Sequence, residues 1–495
     1  MQQSDNFRVA IVGGGIGGVS SAYYLRQLFG KNVSIALFEK SGRIGGRMKT
    51  VPFCGEICES GASLIHSSNR YMMSFARKFK LPIKKVIKTN HHLFLFDVGY
   101  KQVFSDIHQK PNNFTSLRLL VGYGYSTLLT NIYITRKLHE FKKIYHLQDQ
   151  GNCFDSPALL LKSLSSDFPE MTKFSYGDWL RKRIKSDDKY LNEILFGVLS
   201  NNYCQGLDVH GFVGVVSSAC TTGVLHSVDG GVEQIPQKLV ETALADNPVD
   251  VPKEFIHAEV KKITKTDDHK LRLSYELASS NKTEEASFDY VILAIPLHQE
   301  SNLLTSADIN LPKIQYHEMC RTFLSGNINY SLFGLPPKSL ENHHLASFLP
   351  VANYCLHEKH PVRSIMHLPV KPTNTEAPDG IWSIFSEPKS IPDPKTFLSN
   401  LILKDPNDEE NRVDVIRWLA YPKYHPVADP YTDLGQFKLA PGVYYPNAIE
   451  LAASCMEMAI IGGRNVALMI AKERIPPVDS LLSKVSNFMN NFFRW

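Results

Sequence analysis

The sequence predicts an α/β protein in which a Rossmann-like, nucleotide-binding domain is interleaved with an α+β domain. Arg8 to Val12 is a short apolar run with no charge inside it, as is typical of a strand buried on both faces of a parallel sheet. Glycines follow at once, and the helical pattern after them ends near Gly30. Val33 to Phe38 has the pattern of the next strand, which completes one βαβ unit.

The rest of the chain suits two interleaved domains. Its 495 residues, 43% of them hydrophobic, can bury a large core. A second buried strand, Tyr290 to Ala294, follows alternating stretches around Val260 to Ile263 and Leu271 to Leu277, which predict antiparallel strands. We expect the nucleotide-binding domain to comprise residues 1–70, 225–300 and 436–475, a substrate-binding domain to comprise residues 71–224 and 301–435, and an amphipathic C-terminal helix to lie at 476–495.

Charge and cysteine spacing argue against two kinds of site. The 54 basic and 49 acidic residues give a formal charge of +5, which is too weak over this length to indicate a nucleic-acid partner. The eight cysteines include no Cys-x-x-Cys pair, so we expect no metal site. We expect most of them to be small buried hydrophobes, with disulfides left open as an alternative.

Two segments have apolar residues at helical spacing beside basic ones. No stretch reaches the roughly 18 to 20 uninterrupted apolar residues that a membrane-spanning helix needs. The first segment is Leu117 to Tyr145, and the second is the tail after Pro477. We expect both to be helices packed on the protein, with peripheral contact to a membrane surface as the alternative.

The glycines after the first strand have the spacing of a dinucleotide site. Gly13, Gly15 and Gly18 form Gly-x-Gly-x-x-Gly. The first permits a tight turn, the second lets the backbone approach a pyrophosphate, and the third lets helix and strand pack closely. The phosphate charge then lies at the positive helix N-terminus. Glu39 follows 21 positions after Gly18, where a carboxylate can accept hydrogen bonds from a ribose 2′-hydroxyl.

The segments that follow Glu39 favour FAD over a nicotinamide cofactor. Ser41 to Arg47 contains paired glycines and an arginine, and Glu59 to His66 contains a Gly-Ala turn. They resemble the second glycine motif of amine-oxidase-like flavoproteins, in which these residues approach the FAD phosphates and the flavin. A guanidinium offers paired donors to phosphate oxygens. The strand Asp289 to Pro296 and a valine such as Val260 are also typical of that superfamily.

Longer stretches resemble a narrower family. The following segments resemble the prenylcysteine oxidases, called farnesylcysteine lyases in plants: Ala22 to Arg26, Asp208 to Ser217, Val228 to Gly231, Trp418 to Pro422 and Tyr444 to Met458. The resemblance implies an FAD-dependent thioether oxidase. Its substrate would be farnesyl- or geranylgeranylcysteine, cleaved with O2 and water to cysteine, a prenyl aldehyde and H2O2 in the breakdown of prenylated proteins.

The implied chemistry asks little of acid–base side chains. The carbon between sulfur and alkene is activated for hydride loss, because the sulfur lone pair and the allylic system stabilise the cation left behind. The protein must mainly position the thioether and keep the pocket apolar, so no catalytic residue stands out. His66, His210 and His226 are candidates for orienting the amino-acid end or assisting water, although a lone histidine is more often a core or surface residue.

The motif and the resemblance together define the cofactor-binding residues. In the resemblance, Asn447 to Glu450 replaces the Ala-Gly-Glu turn of amine oxidases, and Met456 stands near the start of a helix directed at the flavin. The alternative for the helix that begins near Met456 is an ordinary amphipathic helix with buried methionines. The predicted FAD-binding residues are Gly13, Gly15, Ile16, Gly17, Gly18, Glu39, Lys40, Gly45, Gly46, Arg47, Gly61, Ala62, Ser63, Leu64, Val260, Asn447, Glu450 and Met456.

Location and activity each have alternatives. No secretory signal is visible in residues 1–7. The resemblance implies a lysosomal or secretory location, in agreement with sequons at Asn32, Asn113, Asn281 and Asn329. The alternatives to prenylcysteine oxidation are another amine-oxidase-like flavin oxidase, a non-catalytic prenyl-binding escort-like protein, and a diverged relative that keeps FAD without turnover. The sequence favours no particular oligomeric state.

Overall fold

A computed structural model confirms the predicted α/β fold. The structure describes residues 6–86, 91–105, 114–298, 302–306, 309–326, 328–336, 345–357, 362–368, 370, 380–387, 401 and 413–475. The helix predicted at 476–495 and the sequon residue Asn113 lie outside the described residues.

The larger sheet contains the predicted βαβ unit. Its central strand, Phe7–Val12, pairs in parallel with Val33–Glu39 and with Tyr290–Leu293, and the first helix, Ile16–Phe29, makes the first connection. In spatial order the strands are Thr283–Phe288, Leu271–Leu277, Ile256–Lys265, Val33–Glu39, Phe7–Val12, Tyr290–Leu293, Val443–Tyr444 and Lys438–Ala440, and Leu304–Thr305 also pairs with Ile256–Lys265. Apart from the exposed Arg8, the central strand is an apolar run, because both of its faces are buried.

A second sheet, mostly antiparallel, is built from later segments. In spatial order its strands are Val413–Pro422, Tyr316–Ser325, Ile381–Ser386, Val362–Leu368, Leu345–Pro350, His91–Asp97 and Lys101–Ser105. Its buried aromatic core includes Phe94, Phe348 and Trp382. Two smaller sheets contain Thr50–Phe53 with Glu56–Glu59, and Ile65–His66 with Leu225–Val228 and Ile83–Val86.

Helices cover both sheets. The described α-helices are Ile16–Phe29, Arg70–Lys78, Phe114–Tyr123, Tyr125–Phe141, Lys143–Asp149, Pro157–Leu164, Asp167–Met171, Tyr176–Ile184, Asp188–Tyr190, Phe196–Tyr203, Gly211–Ser218, Gln234–Leu244, Ala352–His357, Pro430–Asp433 and the last helix, Met456–Arg474. Within the described ranges, none of them has the length and apolar character needed to cross a bilayer. The segment Leu117 to Tyr145 is helical as predicted, and Tyr123 and Ile134 lie on its buried side.

The predicted strand pattern agrees with the structure at the level of pairing. Val260 lies opposite Tyr275 in an antiparallel pair, as the alternating stretches predicted. Strands from residues 7–39, 256–293 and 438–444 share one sheet, which is the arrangement that a discontinuous nucleotide-binding domain requires. We propose to keep that domain division, with Leu304–Thr305 added to the same sheet.

Candidate active site and dinucleotide cradle

The turn after the first strand is shaped by its glycines. Gly13 has φ +107°, and a Cβ added there would lie 2.5 Å from the Ala294 carbonyl oxygen. At Gly18 an added Cβ would lie 2.1 Å from the Gly13 oxygen. An added Cβ at Gly15 instead meets nothing closer than 4.0 Å. Gly13 and Gly18 are therefore required by packing, while Gly15 leaves room for a bound group at the N-terminus of the first helix.

The second glycine segment lies directly against the first. The Gly45 N–H donates to the Gly14 oxygen at 2.9 Å, and a Cβ added to Gly46 would lie 3.1 Å from the Gly15 Cα. The Glu39 Oε2 accepts a hydrogen bond from the Gly14 N–H at 2.7 Å. Two glycine turns and a carboxylate thus form one cleft, as binding of a dinucleotide through its phosphates and ribose requires.

An ion pair between Arg47 and Glu450 closes one end of this cleft. The two residues are 403 positions apart, yet the guanidinium binds the carboxylate directly. Arg47 Nη1 also donates to the Ala420 oxygen at 2.6 Å, and the Tyr316 hydroxyl donates to Glu450 Oε2 at 3.2 Å. Burial alone would lower the pKa of Arg47, but the Glu450 charge raises it above its ordinary value. The guanidinium therefore stays charged beside the glycine turns.

Glu457, in the first turn of the last helix, caps a second helix. Its carboxylate accepts hydrogen bonds from the backbone N–H groups of Tyr71 and Met72, at 2.8 and 3.0 Å, and from the Tyr145 hydroxyl at 2.8 Å. The two N–H groups belong to the first turn of Arg70–Lys78, where unsatisfied donors favour an anion. Burial raises the pKa of Glu457 to about 7, and these hydrogen bonds oppose the shift.

A cavity of about 720 Å³ lies between these elements. Gly61, Ala62 and Ser63 line it on one side, and Met456 lines it at the start of the last helix. Large apolar side chains also line it: Phe141, Phe168, Phe212, Met366, Leu368 and Phe385. Its size and lining are those of a small-molecule site.

The candidate histidines differ in position. His66 lines the cavity, with Nε2 2.8 Å from the Thr222 oxygen and Nδ1 accepting from the Ser68 N–H at 3.1 Å. His226 lies opposite Ile65 in a small sheet, and its buried Nδ1 makes no hydrogen bond to the described residues.

His210 lies outside the cavity lining. Its Nδ1 accepts from the Val213 N–H at 3.3 Å and so caps the helix Gly211–Ser218, while Nε2 lies 3.1 Å from the Leu451 oxygen. Burial lowers the pKa of His210 to about 4. These contacts are those of a neutral structural residue.

The other predicted cofactor residues lie around the cleft at different depths. Ile16 and Gly17 form the first turn of the first helix, and Asn447 Oδ1 lies 3.2 Å from where a Cβ at Gly17 would be. Val260 is buried in the strand that adjoins the Glu39 strand. The predicted cofactor residue Lys40 is exposed at the protein surface, and Leu64 lines the cavity.

Sequence reasoning missed Tyr316 and Arg321. Both are polar residues of one strand, Tyr316–Ser325, whose other members are largely buried. Arg321 is the one charged residue of the buried run 319–324, and a lone arginine of this kind was only a weak signal in the sequence. Among the described residues, no group of three or more His, Cys, Asp or Glu side chains is arranged to hold a metal ion. Half of the eight cysteines are buried, as small hydrophobes are: Cys54, Cys58, Cys204 and Cys320.

Comparison with known proteins shows which protein family the chain belongs to. A family model described as prenylcysteine lyase matches residues 108–478, which include most strands of both sheets and the last helix. The chain belongs to the prenylcysteine lyase family. This membership confirms the resemblance and the predicted oxidoreductase class. A model of the NAD(P)-binding Rossmann-like domain matches residues 11–79, which contain both glycine turns, and supports a dinucleotide cofactor.

Individual relatives agree with the family assignment. Prenylcysteine oxidase 1 of Homo sapiens is 31% identical over 93% of this chain and 88% of its own. Prenylcysteine oxidase 1-like of Bos taurus is 28% identical over 96% of this chain and 93% of its own. Among solved structures, cyclohexylamine oxidase from Brevibacterium oxydans IH-35A superposes with a TM-score of 0.60 at 15% identity, covering 94% of this chain and 99% of that one. The last comparison shows that the prenylcysteine lyase fold is shared with amine oxidases.

Proposed function

We propose that this chain is an FAD-dependent prenylcysteine oxidase. It would convert farnesyl- or geranylgeranylcysteine, with O2 and water, to cysteine, a prenyl aldehyde and H2O2. The observation that carries this proposal is the cavity of about 720 Å³, which joins the Gly61 turn and the start of the last helix to an apolar chamber. A prenyl chain is a branched hydrocarbon, so burying it among phenylalanine and leucine side chains is favourable.

The described residues fit FAD. The open space at Gly15 and the helix N-terminus at Ile16 suit the pyrophosphate, and Glu39 suits the adenosine ribose. Gly61 must be glycine, because an added Cβ would lie 1.9 Å from the Arg47 oxygen. When bound, FAD supplies the two-electron acceptor that O2 regenerates.

The chain's own side chains act by positioning and by excluding water. The apolar chamber holds the prenyl chain so that the carbon next to sulfur faces the flavin side of the cavity, near Ala62 and Met456. Because sulfur and the alkene stabilise the cation formed there, no strong base is needed on the substrate. The geometry of the cavity, rather than a nucleophile, would set the rate.

We also propose that a helical surface beside the cavity contacts membranes. The helices Phe114–Tyr123 and Tyr125–Phe141 expose large apolar side chains: Leu120, Val121, Tyr125, Leu128, Leu129 and Ile132. Arg118, Arg136 and Lys142 are exposed around them and suit anionic lipid. Phe141 and Lys142 also line the cavity. The apolar substrate would therefore reach the site from the membrane side.

We propose a lysosomal or secretory location for the protein, as its resemblance to the prenylcysteine oxidases implies. The sequon residues Asn32 and Asn281 are exposed, so an N-linked glycan could be attached to either side chain without a steric clash. Removal of N-glycans from the protein expressed in a secretory system should increase its gel mobility. No change in mobility would speak against passage through that pathway.

The assay for this function follows peroxide and aldehyde. Purified protein should show flavin absorption, and farnesylcysteine should yield H2O2 with farnesal, whereas spermine and a non-prenyl thioether such as S-hexylcysteine should yield neither. Flavin without farnesylcysteine turnover would replace the proposal with another oxidase or a diverged relative. A colourless protein that binds farnesylcysteine would favour the escort-like alternative.

A further inference from the structure

Arg321 is a buried cation without a carboxylate partner in the part of the chain that the structure describes. Its side chain lines the cavity, and the residue is only 4% exposed. Among the described residues, no Asp or Glu oxygen lies within 4.0 Å of its nitrogens. It donates from Nε to the Ser383 hydroxyl at 2.8 Å and from Nη1 to the Gly61 oxygen at 3.4 Å. A buried guanidinium normally binds an anion, since desolvation of an unpaired charge is costly.

Glu59 offers an anion in the same wall of the cavity. Its Oε1 accepts a hydrogen bond from the Val232 N–H at 2.7 Å. Its Oε2 is buried and makes no hydrogen bond to the described residues. Gly61, whose oxygen accepts from Arg321, follows two positions later in the chain, so the two charges approach the cavity from neighbouring backbone.

Neither charge is neutralised by the other through direct contact. Arg321 and Glu59 form no ion pair within 4.0 Å in the described structure. Burial lowers the pKa of Arg321 to about 10, and nearby Cys58 and Glu59 compensate only in part. Burial raises the pKa of Glu59 to about 7, opposed by the Val232 hydrogen bond and by Arg321. Both groups would gain from a ligand that carries the opposite charge.

We propose that Arg321 and Glu59 bind the zwitterionic head of the substrate, the guanidinium binding the α-carboxylate and Glu59 Oε2 binding the α-ammonium. This inference rests on the proposed function and specifies its substrate class. Arginine presents parallel donors that match a carboxylate, and a carboxylate accepts from an ammonium. The prenyl chain, at the other end of the substrate, then lies among the apolar side chains of the cavity.

A consequence is selectivity for the free amino acid. A prenylated peptide has no free α-ammonium or α-carboxylate at an internal cysteine, and a methyl ester has no carboxylate. The peptide would leave both buried charges of the cavity unpaired and the ester would leave one, which weakens binding. The enzyme would therefore act after proteolysis of the lipidated protein is complete.

The test combines two variants with two truncated substrates. Arg321→Met and Glu59→Gln each remove one proposed contact, and S-farnesylcysteamine and S-farnesyl-3-mercaptopropionate lack the carboxylate and the amine, respectively. We expect Arg321→Met to raise KM and Kd for farnesylcysteine by about 10- to 100-fold and to leave those for S-farnesylcysteamine unchanged. Glu59→Gln should do the same for farnesylcysteine while leaving S-farnesyl-3-mercaptopropionate unchanged. Arg321→Lys, which keeps the charge, should restore part of the affinity.

Calorimetric measurement of substrate binding, together with flavin content, distinguishes a failure of this inference from a failure of the proposed function. Equal losses of affinity for complete and truncated substrates, or loss of flavin from Arg321→Met, would overturn the inference and assign Arg321 to the cofactor or the fold. If the wild type turns over no prenylcysteine but binds it with the expected head-group selectivity, the proposed oxidase activity fails and the binding site stands. Arg363→Met is the matched control, because Arg363 pairs with Glu387 away from the cavity lining.

Discussion

Arg47 and Glu450 form a direct ion pair at one end of the cleft, in which each side chain supplies the counter-charge of the other. Their motifs were readable from the sequence, since Gly-Gly-Arg is local and Asn447 to Glu450 belongs to a contiguous stretch of the family resemblance. Their pairing was not readable, because 403 positions separate them and no local pattern encodes a contact of that kind. The local motifs thus indicated the cofactor, and only the fold showed that Arg47 and Glu450 form an ion pair.

The Arg47 and Glu450 pair leads to the first prediction. Glu450→Gln leaves the guanidinium without its counter-charge, so the free energy of unfolding should fall by about 1–3 kcal/mol. This loss is below the roughly 3–5 kcal/mol of a fully buried pair, because the Arg47 side chain is 32% exposed. Flavin retention should fall as well. Denaturant unfolding and the ratio of flavin to protein measure both.

Tyr316→Phe is the matched control for this prediction. It removes one neutral hydroxyl donor to the same carboxylate and should cost only about 0.5–1.5 kcal/mol. Equal stability of Glu450→Gln and the wild type, with full flavin content, would show that the ion pair contributes nothing.

Glu457 leads to a pH-dependent prediction. Its folded pKa of about 7 lies above its ordinary 4.5, so the folded state binds more protons between these values. Stability must then fall as pH rises from about 4.5 through about 7. Relative to Glu457→Gln, the wild type should lose about 1–3 kcal/mol across this window. Urea unfolding of both proteins from pH 4.5 to 8 tests this, and parallel profiles would contradict it, since Glu59 contributes equally to both.

At the scale of elements, the sequence predicted what local patterns encode. The strand, glycine turn, helix and strand of the βαβ unit lie next to each other in the chain, so periodicity and turn residues sufficed. The second sheet was not predicted in detail. Its parallel pair of His91–Asp97 and Leu345–Pro350 joins segments about 250 residues apart, and pairing partners at that distance depend on the whole core rather than on any local pattern.

The contact between the first and last helices can be tested with glycine substitutions. A Cβ at Gly463 would lie 2.3 Å from the Ser20 Oγ and 2.6 Å from the Gly17 oxygen. Gly463→Ala should therefore push the helices apart and cost about 1–3 kcal/mol, although alanine favours helices. Thermal unfolding and flavin retention measure the effect, because both helices begin at the cofactor cleft.

Gly122→Ala is the control for this close contact. Gly122 lies in the helix Phe114–Tyr123, and an added Cβ there meets nothing within 4 Å. This substitution should leave stability unchanged or raise it by up to about 1 kcal/mol. Equal effects of the two substitutions would show that helix packing does not require Gly463.

At the scale of the whole molecule, the cavity draws its polar residues from distant segments. Glu59, Arg321 and Glu457 come from a small sheet, the second sheet and the last helix. Sequence reasoning found the glycine motifs because each has a fixed spacing, and it missed Arg321 because one charged residue in a strand has no such spacing. The cofactor side of the site was therefore predictable and the substrate side largely was not.

The exposed helical surface gives a prediction for the whole protein. Val121, Tyr125 and Ile132 are 81%, 69% and 57% exposed. Replacing all three by serine should lower binding to vesicles of phosphatidylcholine and phosphatidylserine by about 10-fold or more, since each buried apolar side chain contributes about 1 kcal/mol or more. Activity on detergent-dispersed farnesylcysteine should stay unchanged.

Val249→Ser is the control for the vesicle experiment. Val249 is fully exposed but lies away from this surface in the chain, after the helix Gln234–Leu244. Its replacement should leave vesicle binding as it is. Unchanged binding of the triple variant, measured by co-sedimentation, would rule out this surface as the membrane contact.

Anaerobic mixing with farnesylcysteine tests the central claim most directly. The account predicts that the visible flavin bands bleach in a single turnover, with one farnesal formed per flavin, and that admitting O2 restores the bands and releases H2O2. Spermine and S-hexylcysteine should leave the bands unchanged. Flavin bands that persist with farnesylcysteine, or that bleach equally with spermine, would contradict prenylcysteine oxidation by this chain.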